Sequence, residues 1–392
     1  MALDVGRLRA DTPGTATVAH LNNAGAALAP RVVVDTVVDH LRLEAEIGGY
    51  EAAAAAAERT EAVYDSIAAL VGGSAEEVAV VENATRAWDM AVYAYPFSPG
   101  DRVLTGRSEY ASNAIALIQL ERRRGIELVL VDDDGQGQID LDILATELER
   151  GAAMVSLTHV PPNGGLVNPA DEVGELCRRH GACFVLDACQ SAGQLPLDVE
   201  ALGCDVLSAT SRKFLRGPRG VGFLWVRREL IERLEPPLLD LYAAEWTAPH
   251  EYSVRADAKR FENWECSFAG RLGLGAAVDY ARGVGLDAAW DRIRWLGERL
   301  RTDLGAVSGV EVHDKGEVRG GIVSFTVAGH ESAEVAAALT AAGVNTSLTT
   351  PSHALFDGRD LPAMVRASVH YYNTEEELGR LVEVVAGLDG RR

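Results

Sequence analysis

Seven short apolar runs, separated by segments with helical periodicity, constrain the fold of this chain most strongly. The runs cover residues 78–82, 101–105, 127–132, 153–160, 183–187, 205–209 and 222–226. Most are nearly continuous in apolar residues, as is typical of strands buried on both faces. Helical segments such as 169–180 lie between several of them. This alternation predicts an α/β fold with a mostly parallel sheet between helices.

The C-terminal third of the chain has a different pattern. Residues 269–307 predict one long helix, followed by strand candidates at 310–313, 321–327 and 365–372 and a helix at 332–342. Residues 235–259, which contain three prolines, are predicted to be an irregular connector. We therefore expect a large domain over residues 15–250 and a smaller α+β domain formed by residues 1–14 and 251–392.

Composition excludes several classes of protein. The 392 residues carry 37 basic and 58 acidic side chains, a net charge of −21 that argues against nucleic-acid binding. The sequence lacks the run of about 18 apolar residues that a membrane span needs, and its N-terminus lacks an apolar signal core, so we expect a cytosolic protein. Five cysteines without a C-x-x-C spacing suit neither a disulfide framework nor a zinc site, and we predict no metal.

Two residues in the segment 186–222 suggest a specific chemistry. Asp187 ends an apolar run, and Lys213 lies in a polar turn punctuated by glycine and proline. An enzyme that uses pyridoxal 5'-phosphate (PLP) needs such a pair, a carboxylate for the pyridinium nitrogen and an amine for the Schiff base. A buried carboxylate favours the protonated ring nitrogen, and a lysine amine can lose its proton where an arginine cannot.

Three further segments follow predicted strands and would meet Asp187 at one crevice. In N-A-T-R-A-W-D-M-A, residues 83–91, backbone amides and a threonine hydroxyl suit a phosphate, although an ordinary helix cap by Asn83 or Thr85 is the simpler alternative. Tyr110 could stack on a flat ring or pack in the core. Asn163 lies in a loop at a strand end, where open α/β sheets bind ligands.

Six motifs, in order, resemble those of the class-V aminotransferase group of fold-type-I PLP enzymes over essentially the whole chain. They are N-A-T-R-A-W, S-E-Y-A-S-N, H-V-P-P-N-G-G-L-V-N-P, L-D-A-C-Q-S-A-G-Q, S-R-K-F-L-R-G-P-R-G-V-G-F-L and V-R-A-S-V-H-Y-Y-N-T-E-E-E. The resemblance implies a large PLP-binding domain, a small C-terminal domain, a homodimer and an α-amino acid substrate.

The resemblance also implies roles for individual residues. Lys213 forms the Schiff base, Asp187 pairs with the pyridinium nitrogen, Gln190 lies near the phenolic oxygen or the Schiff base, and Tyr110 takes the place of a stacking histidine. The residues implied to bind the phosphate are Ala84, Thr85, Thr210 and Arg212.

For the substrate, the resemblance implies that Arg366 pairs with the α-carboxylate and that Asn23 belongs to a loop that closes over the ligand. The first departure from the family pattern is Pro162, which stands where many relatives have a polar residue. The contact with the phenolic oxygen is therefore either made by Asn163 or absent.

The second departure is R-F-E-N-W-E, residues 260–265, which replaces an R-F-E-x-G-T whose threonine reaches the neighbouring subunit's phosphate in other branches. The W-E form resembles the branch of isopenicillin-N-epimerase-like proteins and the ergothioneine-pathway C–S lyase. Cysteine desulfurases of the family carry a nucleophilic cysteine on a C-terminal loop, and no cysteine follows Cys266 here.

The resemblance to this branch implies β-elimination from a cysteine conjugate or its sulfoxide. The alternatives are an aminotransferase or an amino-acid epimerase of specialised metabolism. A catalytically silent PLP-binding scaffold is a further reading, which the intact Lys213, Asp187 and Arg366 argue against.

Overall fold

A computed structural model describes residues 3–358 and 361–388 of the protein. The strands are β1 (Ala19–His20), β2 (Val78–Val81), β3 (Arg102–Gly106), β4 (Glu127–Val131), β5 (Met154–Thr158), β6 (Cys183–Asp187), β7 (Val206–Thr210), β8 (Gly222–Val226), β9 (Ala244–Ala248), β10 (Glu251–Val254), β11 (Val310–Val312), β12 (Ile322–Val327), β13 (Val344–Asn345), β14 (Ser347–Leu348) and β15 (Val365–Ser368).

Helices cover both faces of the main sheet and complete the C-terminal part of the chain. They are α1 (Val5–Ala10), α2 (Asn23–Ala26), α3 (Arg31–Ile47), α4 (Gly49–Ala55), α5 (Ala57–Val71), α6 (Ala84–Ala94), α7 (Ala111–Arg124), α8 (Leu141–Glu149), α9 (Ala170–His180), α10 (Val199–Leu202), α11 (Arg228–Ile231), α12 (Phe268–Val284), α13 (Leu286–Gly305), α14 (Ser332–Ala341) and α15 (Glu375–Ala386).

The seven predicted apolar runs form one seven-stranded sheet, which confirms the α/β fold. Its strand order is β2-β8-β7-β6-β5-β3-β4. The neighbours from β7 to β4 are parallel, and β8 runs antiparallel to both β2 and β7. Because β3, β5, β6 and β7 point the same way, their carboxyl ends meet at one edge of the sheet.

Packing on both faces explains why the strands are so apolar. Val80 and Leu104 belong to the apolar core on one face, whereas Ala79 and Val103, their neighbours in sequence, belong to the core on the other. Successive side chains of a strand point to opposite faces, so a strand covered on both sides needs apolar residues at every position.

Two local predictions were wrong. The predicted long helix is two helices, α12 and α13, separated at Gly285, whose φ of 90° is a conformation that favours glycine. The predicted irregular connector contains the antiparallel hairpin of β9 and β10. Most side chains of this hairpin are exposed, so no core-facing pattern marks it in the sequence.

A four-stranded sheet in the order β11-β12-β15-β14 forms the C-terminal part. β1 pairs in parallel with β13, joining residues near the N-terminus to this region, while α12 packs against α3 and α5. Contacts therefore join the two predicted domains across the boundary near residue 250. The division of the chain into these domains stays a prediction.

No helix within residues 3–358 and 361–388 is both long and apolar enough to cross a membrane.

Candidate active site

A cavity of about 470 Å³ lies at the carboxyl edge of the main sheet. Its walls come from the segments that follow β2, β3, β5, β6 and β7. The lining residues are Asn83, Ala84, Thr85, Tyr110, Asn113, Thr158, Val160, Pro162, Asp187, Cys189, Gln190, Thr210, Arg212 and Lys213. The sheet therefore brings together residues that are up to 130 positions apart in the chain, from Asn83 to Lys213.

Lys213 and Asp187, the two residues on which the sequence argument rested, both line this cavity. Burial lowers the pKa of the Lys213 amine, and the negative charge of Asp187 opposes this effect. Asp187 is buried, and its Oδ1 accepts a hydrogen bond from the Cys189 backbone amide (2.9 Å). Its Oδ2 accepts one from Asn113 Nδ2 (2.9 Å). The cavity thus holds a fixed carboxylate and an amine that burial makes easier to deprotonate.

The N-terminus of α6 forms one end of the cavity. Asn83 caps this helix, since its side chain accepts a hydrogen bond from the Arg86 amide (2.9 Å). The first amides of a helix have no carbonyl partner within the helix, so the N–H groups of Ala84 and Thr85 are suited to an anion. Thr210 at the end of β7 adds a hydroxyl to the same cavity.

Tyr110 and Gln190 also line the cavity. The Lys213 Nζ lies 5.9 Å from the centre of the Tyr110 ring. Gln190 Nε2 donates to the Ala24 carbonyl (3.2 Å), while its buried Oε1 has no partner among the described residues. An amide oxygen without a partner, in a cavity wall, is suited to a ligand donor.

Arg366, on β15, does not line the cavity but contacts Pro162, which does. Its Nη1 donates to the Pro162 carbonyl (2.9 Å), and its Nε is buried without a partner in the described part of the chain. Burial, and then the nearby positive charge of Arg212, lowers its pKa to about 10. A guanidinium with unused donors and a cationic neighbour is suited to an anionic ligand.

The structure corrects the expectation for Asn163. Pro162 lines both the main cavity and a smaller neighbouring pocket, whereas Asn163 lines only the smaller one, with Arg107, His313 and Lys315. Asn163 lies in the turn that follows β5 and is not among the residues that line the main cavity, so it does not take the place of a polar side chain at position 162.

The side chains of Asn23 and Arg212 both hydrogen-bond to backbone carbonyls of the protein. Asn23 is fully buried, and its Nδ2 donates to the carbonyls of His20 (3.2 Å) and Ser368 (2.7 Å), so its side chain ties the N-terminal segment to β15 and does not cover the cavity. Arg212 lines the cavity as expected, but its Nη1 donates to the Gly25 carbonyl.

Glu109 and Asn113 are site residues that the sequence argument missed. Glu109 is buried and lines the smaller neighbouring pocket, and Asn113 Nδ2 lies within hydrogen-bond distance of both Glu109 Oε1 (3.0 Å) and Asp187 Oδ2 (2.9 Å). The spacing of four residues between Glu109 and Asn113, within the motif that holds Tyr110, is the signal that could have found them.

The residues of the cavity fit PLP. The volume lies within the range of about 300–1,000 Å³ that is typical of small-ligand sites. The cavity also supplies helix-end amides for a phosphate, a buried carboxylate for a ring nitrogen, an amine and the unpartnered acceptor of Gln190. Arg366, with an unpartnered donor, lies next to the cavity at Pro162. Among the described residues, no group of three His, Cys, Asp or Glu side chains is placed to hold a metal ion.

Comparison with known proteins identifies the family. The family model described as aminotransferase class-V matches residues 19–381. The chain belongs to this family. Its members are PLP-dependent enzymes of fold type I, so the protein is a PLP-dependent enzyme.

Curated relatives within this family share the full length of the chain. A protein of Halobacterium salinarum named a probable cysteine desulfurase is 29% identical, over 98% of this chain and 96% of its own length. A cysteine desulfurase of Haloferax volcanii is 28% identical, over 95% of this chain and 91% of its own length.

Solved structures have the same fold. The cysteine desulfurase of Thermococcus onnurineus in its apo form has a TM-score of 0.91 and 27% identity, covering 99% of this chain and 98% of the other. The cystine C–S lyase C-DES, solved with its product cysteine persulfide, has a TM-score of 0.85 and 23% identity, over 96% and 99% of the two chains. At that identity, the second similarity supports the fold alone.

Proposed function

We propose that the protein is a C–S lyase that removes the sulfur substituent from a cysteine conjugate or its sulfoxide. One water is consumed when the three-carbon product of elimination is hydrolysed, so the final products would be pyruvate, ammonia and a sulfur compound. The names of the relatives favour cysteine or a derivative of cysteine as the substrate. The W-E form of residues 260–265, which resembles the branch that contains the ergothioneine-pathway C–S lyase, supports a conjugate over free cysteine.

The positions of the cysteines favour elimination over the reaction of a desulfurase, which forms a persulfide on a cysteine of its own. No cysteine follows Cys266 in the sequence, and the thiol that lines the cavity belongs to Cys189. Burial, and then the charge of Asp187, raises the pKa of this thiol well above its ordinary value. Because a thiolate is the nucleophile in sulfur transfer, a neutral Cys189 is poorly suited to accept sulfur.

The residues of the cavity support the elimination. When bound, PLP supplies an electron-withdrawing ring that stabilises negative charge at the α-carbon of an amino acid. Asp187 would hold the ring nitrogen in its protonated form, and the amides of Ala84 and Thr85 would bind the phosphate. Arg366 would pair with the substrate α-carboxylate and so fix its orientation.

The proton transfer would fall to Lys213. Its amine, whose pKa burial lowers, would take the proton from the α-carbon. The bond between Cβ and sulfur then breaks, and its electron pair leaves with the sulfur substituent. Gln190 Oε1 and Tyr110 would border the ring on which this chemistry depends.

An aminotransferase or an epimerase is the second candidate, and the family name favours it. Both reactions begin with the same removal of the α-proton and differ in where a proton returns. The choice depends on the substrate and on the positions of proton donors around it.

Product analysis tests the proposal. The purified PLP-bound protein is mixed with a panel of cysteine conjugates and sulfoxides, and with ordinary amino acids without a keto acid, and pyruvate and ammonia are measured. We expect catalytic release of both from at least one sulfur compound, with Lys213→Ala as the inactive control and Cys189→Ala retaining elimination. A single turnover that resumes on addition of a keto acid would instead identify an aminotransferase.

We also propose that the protein is a homodimer. Several large apolar side chains are exposed, with Trp246 at 79%, Tyr50 at 76% and Leu241 at 71% of their full accessible area. A contact with a second copy of the chain would remove such side chains from water, and the resemblance to the class-V family implies a homodimer. Light scattering after size exclusion should give about twice the chain mass of 41.8 kDa. A cytosolic location rests on the sequence alone, and cell fractionation tests it.

A further inference from the structure

The Glu109 carboxyl is buried next to the main cavity, beside the smaller pocket that it lines, and is surrounded by hydrogen-bond donors. Burial raises its pKa, the charge of Asp187 adds to this effect, and the surrounding hydrogen bonds oppose it. The donors are the Tyr110 backbone amide (2.7 Å), Asn113 Nδ2 (3.0 Å), Thr105 Oγ1 (2.8 Å), Ser156 Oγ (3.0 Å) and Thr158 Oγ1. These donors come from β3, β5 and the start of α7, so one side chain joins three elements of the site.

One branch of this network leads to Asp187. Asn113 Nδ2 lies within hydrogen-bond distance of Glu109 Oε1 (3.0 Å) and of Asp187 Oδ2 (2.9 Å). An amide nitrogen carries two hydrogens, so it can donate to both carboxyl groups at once. The other oxygen of Asp187 is held by the Cys189 amide (2.9 Å). The orientation of the Asp187 carboxylate therefore depends on Asn113, and that of Asn113 depends on Glu109.

The other branch leads to Tyr110. Its backbone amide donates to Glu109 Oε1 (2.7 Å) and to Thr158 Oγ1 (3.1 Å). Tyr110 is the N-cap residue of α7, and its own side chain makes no capping hydrogen bond. Glu109 thus fixes the start of the helix that carries both the ring of Tyr110 and the amide of Asn113.

The hydroxyl groups make this arrangement tolerant of a change in charge. Hydroxyls can both donate and accept, so those of Thr105, Ser156 and Thr158 can turn to accept a hydrogen bond from a neutral group at position 109. A glutamine could accept from Tyr110 and Asn113 with its oxygen and donate to Thr105 and Ser156 with its nitrogen. The geometry that reaches Asp187 would then survive without the carboxyl.

We propose that Glu109 is a positioning residue for the cofactor ring. It fixes Asp187 through Asn113, and it fixes Tyr110 by accepting a hydrogen bond from the Tyr110 backbone amide. Glu109 itself does not line the cavity, and its effect passes through the two residues that would border the pyridine ring. The inference rests on the PLP-binding part of the proposed function and does not depend on which reaction the enzyme catalyses.

The test compares four variants by two measurements that do not need turnover. One is the dissociation constant of PLP from equilibrium dialysis of the apo protein, and the other is the ¹⁵N NMR signal of PLP labelled at its ring nitrogen, which reports protonation. The variants are Asn113→Ala, Glu109→Ala, Glu109→Gln and Ser208→Ala. Ser208 is a matched control, because it is buried, lies beside Asp187 in the sheet and has no side-chain partner among the described residues.

We expect Asn113→Ala and Glu109→Ala to weaken PLP binding about tenfold, the effect of losing one hydrogen bond to a charged group. Their ring-nitrogen signal should move towards that of the unprotonated ring. Glu109→Gln and Ser208→Ala should keep the wild-type signal and bind PLP within about twofold of wild type.

Two results would overturn the positioning role. The first is that Asn113→Ala leaves both the PLP dissociation constant and the ring-nitrogen signal unchanged. The second is that Glu109→Gln matches Glu109→Ala in both measurements, which would make the charge of Glu109 the important property. Should Glu109→Ala not fold, Asn113→Ala and Glu109→Gln still decide the question. A wild-type protein that failed to bind PLP would contradict the proposed function itself.

Discussion

Lys213 is a buried amine with charged neighbours of both signs. Burial lowers its pKa, and Arg212 and Arg366 lower it further, whereas Asp187 opposes them. A neutral amine can attack a carbonyl carbon and accept a proton, while a guanidinium can do neither.

Lys213→Arg therefore tests whether the amine or its charge matters. We expect no turnover, and no mass increase on the peptide that contains position 213 after the PLP-loaded protein is reduced with borohydride. Lys259→Arg, in a side chain that contacts Glu61 and the Tyr64 ring, should keep both the turnover and the mass increase at position 213. Turnover in Lys213→Arg would disprove the assigned role.

Arg366 offers a second test at this scale. A lysine keeps the positive charge but cannot form two parallel hydrogen bonds with a carboxylate. We expect Arg366→Lys to lower kcat/KM about 100-fold, the effect of about 3 kcal/mol of charge-assisted hydrogen bonding. Steady-state kinetics on the substrate found by product analysis measures this, and unchanged kinetics would remove Arg366 from the substrate site.

His159, directly after β5, makes the stability of the protein depend on pH. It is buried, and burial lowers its pKa from 6.5 to about 4. Between these values the unfolded chain binds a proton that the folded protein does not, so stability falls as pH falls through this range. Relative to neutral pH, the loss from this residue should be about 2 kcal/mol at about pH 5.

His159→Gln should remove this part of the pH dependence. Urea unfolding near pH 7 and near pH 5 measures it, and we expect a smaller difference between the two conditions in the variant than in the wild type. An equal difference in both proteins would show that His159 does not cause it.

At the scale of elements, Gly222 at the start of β8 sets the distance between the sheet and α6. A Cβ atom there would lie 2.6 Å from the Ala209 carbonyl oxygen and 3.0 Å from the Ala84 backbone nitrogen. Both neighbours are backbone atoms, and the second belongs to the amide that would bind the phosphate.

Gly222→Ala should therefore displace the N-terminus of α6. We expect weaker PLP binding by at least about tenfold and a lower free energy of unfolding. Gly283→Ala is the control, because a Cβ there meets no atom within 4 Å, and it should stabilise α12 by up to about 1 kcal/mol. Equal PLP affinity in Gly222→Ala and wild type would contradict this account.

The elements also show what the sequence could predict. The strands around Asp187 and Lys213 were predictable because burial on both faces leaves a continuous apolar pattern, and the polar residues that follow each strand are local signals. The Glu109 network was missed because its partners lie on different strands. The break at Gly285 was missed because apolar periodicity continues on both sides of it.

At the scale of the whole molecule, Arg216 connects both ends of the chain to the Lys213 turn. It is fully buried, and its backbone amide donates to the Lys213 carbonyl (2.9 Å). Its guanidinium donates to the Leu28 carbonyl (2.8 Å), to Thr12 Oγ1 (2.5 Å) and to Tyr371 Oη (2.9 Å). The first two partners are N-terminal and the third is C-terminal.

Aromatic rings complete the surroundings of this cation. The Arg216 guanidinium carbon lies 4.5 Å from the Tyr372 ring centre, 5.3 Å from that of Tyr371 and 5.6 Å from that of Tyr280. Arg216 also has a φ of 62°, which a residue with a side chain adopts only when its surroundings hold it there. The cation therefore compensates for an unfavourable backbone conformation near Lys213.

Arg216→Lys should lower the free energy of unfolding by about 3 kcal/mol, because a lysine cannot reach all three acceptors and does not stack its plane on tyrosine. Urea unfolding measures this, with Arg219→Lys, an exposed neighbour in the same turn, as the control. Arg216→Lys should also bind PLP more weakly than the wild type, because the turn that carries Lys213 is then no longer attached to both chain ends. Stability equal to that of the Arg219 variant would mean that packing around the tyrosines, and not the guanidinium, holds the two ends together.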